Sequence, residues 1–195
     1  MKLNMYYLII FINFITICII ELLIIKYSRL EYSYFINFIK IVLFFLIADF
    51  FSYWYHIFVH RLHPVIKNYI HEYHHKKDTM WFLDTINVTT IEIIITTIIT
   101  YIIPHFIINP NMNEFIFIQI IVITHQFYIH SSFTYKYPIP YFISSKYHEK
   151  HHKIGGGNYG LFFEFWDYIM GTAIPKKIRK KRKIIKKTKV NDKNN

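Results

Sequence analysis

Four apolar stretches recur along the 195-residue chain and limit its folds more than any other feature: residues 6–25, 35–59, 81–103 and 114–127. A helix needs about 20 apolar residues to cross a bilayer. Within lipid every backbone N–H and C=O group must be paired inside the protein, which excludes open strands. The sequence therefore predicts an all-α membrane protein whose four transmembrane helices form two antiparallel hairpins.

Composition agrees with a membrane location. The chain is 53% hydrophobic and 20% aromatic, too apolar for an ordinary soluble domain. Much of the net charge of +11 lies in one terminal run without interleaved aromatic residues, so base stacking on nucleic acid is not indicated. We expect a single membrane-embedded domain over residues 1–175 and a disordered basic tail over 176–195 that touches anionic lipid.

The basic residues predict the topology. Only four of the 23 Lys and Arg residues precede Arg61, which leaves 19 in the segments after the second and fourth stretches. Positive residues favour the cytoplasmic side, so these segments and both termini are expected there, in the endoplasmic reticulum membrane if the cell is eukaryotic. Lys26 and Arg29 oppose this assignment but are outnumbered.

Histidines form the second strong pattern. Residues 71–75 and 148–152 both spell HxxHH, with Glu in the second position each time. Positions i, i+3 and i+4 lie on one face of a helix, so each box is expected to present three imidazoles toward one point. An exact repeat of a metal-ligand spacing is hard to obtain by chance.

Four further histidines extend the candidate ligand set. His56 and His60 are one helical turn apart and can share a site, whereas His125 and His130 differ by about 140° and can do so only if the helix is bulged or ends. Nine or ten imidazoles suit two metals rather than one. The candidate ligands are His56, His60, His71, His74, His75, His125, His130, His148, His151 and His152.

The remaining histidines are weaker candidates. His63 precedes Pro64, where the chain is expected to turn, and stays an alternative ligand. His105 falls in a predicted turn at 104–111, at the wrong end of the third stretch for the site. Cys18 is the only cysteine, so any metal here is held by nitrogen.

Ligating rings need partners for their second N–H group, and acidic and phenolic residues could provide them. Asp49 lies well inside the second stretch, where a carboxylate is costly unless it faces protein or a site. Each candidate also has a plain surface or packing interpretation. The candidates are Asp49, Glu72, Glu149, Tyr159 and Asp167.

At this point the pattern resembles the fatty acid hydroxylase and sterol desaturase superfamily over residues 49–172. The motifs that carry the resemblance are Asp49-x3-Tyr53-Trp54-x-His56-x3-His60, His71-x2-His74-His75, Glu92, His130-Ser131, His148-x2-His151-His152, Asn158-Tyr159-Gly160 and Trp166-Asp167-x3-Gly171-Thr172. The final motifs are somewhat more similar to the methylsterol oxidase and sterol hydroxylase branches. Ile57 stands where the superfamily usually has Arg after the first His, which leaves a role of that Arg in doubt.

The resemblance implies a membrane enzyme with two non-haem iron ions that uses O2 to hydroxylate, oxidise or desaturate a sterol or fatty acyl lipid. No flavin, haem or nicotinamide motif is visible, so an external electron donor such as cytochrome b5 or a ferredoxin is expected. It would dock on the cytoplasmic face, where Lys146, Lys150, Lys153 and the tail are basic.

Two other function classes fit part of the pattern. HEYHH and HEKHH also satisfy HExxH, the signature of zinc metalloproteases, in which the Glu activates water. That class needs one such site and leaves His74, His151 and the second copy unexplained. A non-catalytic protein with structural zinc is the third interpretation, and duplicated boxes without cysteine argue against it.

Overall fold

The computed structural model describes residues 2–27, 35–75, 81–132 and 141–175, and this part of the chain is helical. Its only β pairing is an isolated bridge between Phe142 and Phe163. The elements in chain order are α1 (Lys2–Tyr27), α2 (Phe38–Arg61), α3 (Pro64–Ile70), α4 (Glu72–His75), a 3-10 turn (Phe82–Ile86), α5 (Thr90–Thr97), a π turn (Ile98–Ile102), α6 (Ile103–Ile108), α7 (Met112–Ile129), α8 (Ser145–Ile154) and α9 (Phe165–Ile169).

Four helical segments are long and apolar enough to cross a membrane: Met5–Lys26, Phe38–Arg61, Thr90–Ile108 and Met112–Ile129. The prediction of an all-α protein with four such spans is confirmed. The connection at 28–34, the turn with Pro138 and Pro140, and the basic tail lie outside the described residues.

The third span differs from its predicted bounds at both ends. It begins at Thr90, because Thr89 caps the helix by accepting a hydrogen bond from the Glu92 N–H. It continues to Ile108, so Pro104 and His105 are helical and the turn predicted at 104–111 contains only its last residues. Proline lacks an N–H and crowds the preceding turn of a helix. The π turn directly before Pro104 loosens the backbone there and lets the span continue.

Polar contacts hold the spans together at the end of the bundle away from the histidine boxes. Glu114 accepts hydrogen bonds from the backbone N–H groups of Asn37 and Asn111, and so ties the start of α2 to the start of α7. The Lys40 ammonium donates to the Asn109 carbonyl. The first residues of α2 and α7 therefore lie at one end of the bundle, and the histidine-bearing ends of both helices lie at the other.

Helix α1 packs mainly against the third span rather than against α2, its neighbour in sequence. The contact is fixed by Asn13, a fully buried side chain whose amide donates to the carbonyls of Ile86 and Val88 at 2.9 and 2.8 Å. Near its start, the Tyr6 hydroxyl donates to Asp84 at 2.9 Å. These contacts place the amino-terminal half of α1 beside the histidine-bearing end of the bundle.

Asp49 lies at the centre of the bundle and is fully buried. Its carboxylate accepts three backbone N–H groups at 2.7–3.1 Å, from Leu161, Phe162 and Phe163. Phe162 is itself completely buried and its ring packs edge-on against Phe45. Asp49 thus fastens the segment after α8 to the middle of α2.

Replacing Asp49 by Ala is expected to leave these three buried N–H groups without an acceptor. Each such group costs about 1–3 kcal/mol, so the free energy of unfolding should fall by roughly 3 kcal/mol or more. Thermal unfolding in detergent measures the loss, and Asp49→Asn, which keeps one acceptor oxygen, should lie between. Equal stability of the Ala variant and the native protein would show that Asp49 does not anchor this segment.

Candidate metal centre

Nine histidines meet in two neighbouring clusters within the described part of the chain. In each cluster the ring nitrogens lie within 4.8 Å of one another. Cluster A contains His56, His60, His71, His75 and His151. Cluster B contains His74, His130, His148 and His152. The rings of His75 and His152, one from each cluster, have centroids only 4.4 Å apart.

Each HxxHH box is divided between the clusters. In the first box, His71 and His75 belong to cluster A and His74 belongs to cluster B. In the second box, His148 and His152 belong to cluster B and His151 belongs to cluster A. The expectation that one box aims three rings at one point is therefore wrong. The reason is helical geometry: position i+4 lies about 40° to one side of position i and position i+3 about 60° to the other. The pair at i and i+4 shares a site, and the ring at i+3 diverges.

Local structure positions the boxes. The second box lies on α8, which Ser144 caps by accepting a hydrogen bond from the Tyr147 N–H. The first box spans a helix break, because His71 is the C-cap residue of α3 and the other four residues of the box form α4. The His74 N–H nevertheless bonds the His71 carbonyl at 3.0 Å, which keeps the helical spacing across the break.

Ring partners in cluster A fix the position of the imidazole protons. The Nδ1 atoms of His56 and His151 lie 2.9 and 2.8 Å from the carbonyl oxygens of Tyr159 and Gly157. A carbonyl oxygen only accepts, so each neutral ring carries its proton on Nδ1 and has a lone pair on Nε2. His71 likewise directs Nδ1 at a Glu92 carboxylate oxygen, 2.5 Å away.

The Nε2 atoms point at one another. His56 Nε2 and His71 Nε2 are 3.1 Å apart, with a lone pair on each. In cluster B, His130 has its proton fixed on Nδ1 by the Gln126 carbonyl, and its Nε2 lies 3.0 Å from that of His74. Facing lone pairs repel unless a cation lies between them. Separations of 2.8–3.3 Å are those expected when two imidazoles bind one metal through bonds of about 2.1 Å.

Burial keeps these imidazoles in the neutral form that binds metals. Among the ligand candidates outside the transmembrane helices, burial lowers the pKa of His130 to about 4. Burial, followed by repulsion from neighbouring histidines, also lowers the pKa of His71, His74, His148, His151 and His152. A neutral nitrogen donor set without thiolate or carboxylate suits imidazole-binding metals such as iron, copper or zinc. The residues present therefore fit two metal ions.

Comparison with known proteins agrees with this geometry. The fatty acid hydroxylase family model matches residues 41–172, more than half of the chain and all nine clustered histidines. The chain belongs to the fatty acid hydroxylase family. A methylsterol monooxygenase, erg25A of Aspergillus fumigatus, is 28% identical over 152 residues, which are 74% of this chain and 50% of that protein. The chain thus spans about half the length of this relative. No solved structure matches it.

Asp167, near the end of the family match, organises the loop that orients His56. It is fully buried, and none of its side-chain hydrogen bonds in the described structure goes to a histidine ring. It accepts four hydrogen bonds at 2.6–3.1 Å, from the N–H groups of Tyr159 and Gly160 and from the hydroxyls of Tyr147 and Thr172. Through Tyr159, whose carbonyl accepts from His56, Asp167 acts on cluster A indirectly.

Tyr159 also packs its ring against cluster A, with centroids 5.3–5.5 Å from those of His56, His60 and His151. The turn before it needs glycine. Gly157 has φ of +96°, and a Cβ there would lie 2.5 Å from the Thr172 carbonyl. This close approach lets the Gly157 carbonyl accept from His151.

The other predicted site residues lie elsewhere. His125 is outside both clusters, and its Nε2 lies 2.8 Å from the Leu161 carbonyl. Glu149 pairs with Lys153 at the surface. The side chain of Glu72 lies outside the described part of the structure. His63 is exposed and accepts from the Val65 N–H, whereas His105 is buried near the opposite end of the bundle.

Glu92 was missed as a partner of the metal ligands by reasoning from the residues alone. It is 3% exposed and is the carboxylate directly bonded to a clustered ring, that of His71. The signal was available, because a carboxylate inside an apolar stretch needs the same explanation that was given for Asp49. The sequence does not show that the third span begins at Thr90, and this start is what brings Glu92 beside the first box.

A cavity of about 290 Å³ opens from both clusters into the bundle. At one end it is lined by His56 and His71 of cluster A and by His74, His130 and His148 of cluster B. Its walls come from all four spans and are mainly apolar. The cavity thus forms a mainly apolar space within the bundle that ends at the two clusters.

Glu92→Gln tests the assigned orientation of His71. A loss of such a partner usually lowers metal affinity about 10–100-fold, and we expect a loss of this size for the metal of cluster A. Competition with a chelator, followed by metal analysis, measures it. Glu149→Gln is the matched control, because its carboxylate pairs with Lys153, and it should keep native affinity. Equal affinities for the two variants would contradict the role of Glu92.

Proposed function

We propose that the protein is a membrane-bound oxidoreductase that uses two iron ions, O2 and an external electron donor to oxidise a lipid. The observation that carries the proposal is the pair of adjoining imidazole clusters, of five and four histidines, at the end of an apolar cavity. Cluster A would hold one iron and cluster B the other. The contact between His75 and His152 supports two ions that act together, because the rings of the two clusters touch.

The metals would supply activation of O2, the chemistry that amino-acid side chains lack. The chain supplies the rest. The carbonyls of Tyr159 and Gly157 and the Glu92 carboxylate hold three rings of cluster A with Nε2 free to bind. The apolar walls of the cavity exclude water and position a lipid beside both clusters.

A sterol is the substrate class that we favour. The support is the similarity to a methylsterol monooxygenase, together with the likeness of the final motifs to the sterol branches. Oxidation of a methyl group or a hydroxylation would then be the reaction. Lipid profiling of cells with and without the protein tests this class, since a sterol precursor should accumulate when the protein is absent. Accumulation of unmodified acyl lipids alone would assign a fatty acyl substrate instead.

The protease interpretation is less consistent with the geometry. His148 and His152 do share a cluster, as HExxH would require. However, the Glu149 carboxylate is at the surface on Lys153, where it cannot activate water at that cluster. The crossing of His74 and His151 to the opposite clusters also has no use in a single zinc site. Structural zinc would not explain the cavity that ends at both clusters.

An external donor, cytochrome b5 or a ferredoxin, would deliver the electrons on the side of the clusters, which we propose is cytoplasmic. The surface there includes Lys146, Lys150 and Lys153 on α8. The Lys150 ammonium donates to the carbonyls of Ile174 and Pro175, and Glu149 offsets the charge of Lys153. An acidic partner fits this surface.

Removal of one crossed ligand from each box tests the two-metal assignment. Protein purified in mild detergent should contain about two iron atoms per chain, one for each cluster. His151→Ala should weaken iron binding at cluster A and His74→Ala at cluster B, and both should abolish product formation. His63→Ala, an exposed histidine outside the clusters, is the control and should behave as the native protein.

Iron content and lipid product are measured on the same four preparations. A native stoichiometry of one metal or none after anaerobic purification would overturn the assignment. Full activity in the His74 and His151 variants would do so as well. Two zinc ions per chain would leave the site intact and change only the metal.

Turnover with a reconstituted donor tests the docking surface. Association that is steered by charge slows as salt screens the attraction, so the rate at low donor concentration should fall several-fold between low and physiological ionic strength. Lys146→Glu should lower the rate further at low salt, and Lys26→Glu, in the last turn of α1 at the opposite end of the bundle, should change it less. A rate independent of ionic strength would exclude electrostatic docking without affecting the assignment of the metal centre.

A further inference from the structure

The cavity has a second polar end, deep in the bundle and far from the histidines. It is lined there by Glu21 of α1 and Tyr101 of the π turn. We propose that Glu21 and Tyr101 bind a hydroxyl group at the far end of the lipid whose other end reaches the clusters. This inference rests on the proposed function and specifies the substrate as a lipid alcohol.

Helix α1 directs Glu21 into the cavity. The cavity-lining residues of this helix are Phe14, Ile17, Cys18 and Glu21. Their spacing of i, i+3, i+4 and i+7 defines a single helical face, so Glu21 lies on the face that lines the cavity. Tyr101 lines the same cavity from the π turn of the third span, the span against which α1 packs. The carboxylate and the phenol are therefore polar groups on two adjoining walls of one cavity.

No hydrogen bond within the described residues explains the position of these two groups. Within the described residues neither the Glu21 carboxylate nor the Tyr101 hydroxyl makes a hydrogen bond. Polar neighbours in the same cavity do have partners: the hydroxyls of Ser52 and Thr100 lie 3.2 Å apart, and Thr96 donates to the Glu92 carbonyl. A carboxylate inside a membrane protein is costly unless it has a partner or a ligand. A ligand hydroxyl can donate to Glu21 and accept from Tyr101.

Two independent measures along the chain give the distance between the ends of the cavity. Glu21 lies eight residues beyond Asn13, which bonds the Val88 carbonyl just before the third span begins, or about 12 Å at the helical rise. Tyr101 lies nine residues beyond Glu92, the partner of His71, or about 13 Å. The bound lipid should thus place its hydroxyl about 12 Å from the carbon that reacts.

Helix α1 precedes the family match, which begins at residue 41. The metal centre lies wholly within the match, whereas Glu21 lies outside it. The helix thus adds a wall of the cavity that the matched domain does not provide. The proposed hydroxyl site therefore joins Glu21, from a segment outside the match, to Tyr101, which lies within it.

Binding of paired probes to the full-length protein tests the inference. The pairs are cholesterol with cholest-5-ene, and hexadecan-1-ol with hexadecane, each differing by one hydroxyl. Tritiated probes are bound to the as-isolated protein in nanodiscs, without oxygen or electron donor so that no turnover occurs. We expect the native protein to bind the alcohol of at least one pair about tenfold more tightly than the hydrocarbon.

Glu21→Leu and Tyr101→Phe should reduce that preference to near unity while leaving binding of the hydrocarbon unchanged. Glu21→Gln, which keeps two hydrogen-bonding atoms and the shape of the side chain, should keep part of it. Thr16→Val is the control, because Thr16 lies on the same helix and bonds its own Ile12 carbonyl outside the cavity. A preference seen only in the cholesterol pair assigns a sterol, and one seen only in the hexadecanol pair assigns a fatty alcohol.

The inference is overturned if the native protein prefers neither alcohol, or if the Glu21→Leu and Tyr101→Phe variants retain the native preference. Iron content is measured in the same preparations. A missing preference with two irons present would reject the hydroxyl site and leave the proposed function. A preference for the alcohol in protein that binds no iron would support the hydroxyl site and reject the proposed function.

Discussion

The arrangement of this protein depends on burying nine imidazoles with their lone pairs directed at one another. His56 and His71 illustrate the constraint, since both have their protons fixed on Nδ1 and their Nε2 atoms are 3.1 Å apart. Such a contact is repulsive in a site of low dielectric unless a cation is bound. Metal binding and folding of this end of the bundle should therefore be linked, because the ion removes the repulsion that the fold creates.

The segment at 157–163 meets this constraint by supplying carbonyl oxygens at fixed positions. Its carbonyls orient His151 through Gly157, His56 through Tyr159, and the buried His125 through Leu161. Two buried carboxylates hold the backbone of the same segment, with Asp167 on Tyr159 and Gly160 and Asp49 on the three residues that follow. The chain thus uses negative charge to orient the loop, and uses the loop to orient the rings. Among the residues that the structure describes, both clusters consist of histidines alone.

Sequence reasoning identified the elements of this arrangement more readily than their connections. Hydropathy located four spans, since lipid requires long apolar helices, and the spacing of histidines located the candidate ligands. The histidine spacing could not show which ring belongs to which cluster. Spacing defines only a helical face, and the helices that pack against that face decide which of its rings enters each cluster. Glu92 and the loop carbonyls were missed for a related reason. Their contacts with His71, His56 and His151 join segments distant in sequence, and main-chain oxygens leave no signal in residue identity.

Each HxxHH box contributes rings to both clusters, so the binding of two ions would be coupled rather than independent. If each box bound its own metal, loss of one ion would leave the other site intact. Here α4 contributes to both clusters, and so does α8. An ion in cluster A would fix the orientation of His71 and His75, and with it the direction of His74 in cluster B. Binding of the first ion should therefore lower the conformational cost of binding the second, which is positive coupling through a shared rigid element. The touching rings of His75 and His152 transmit this constraint directly, so a state with only one ion should be sparsely populated.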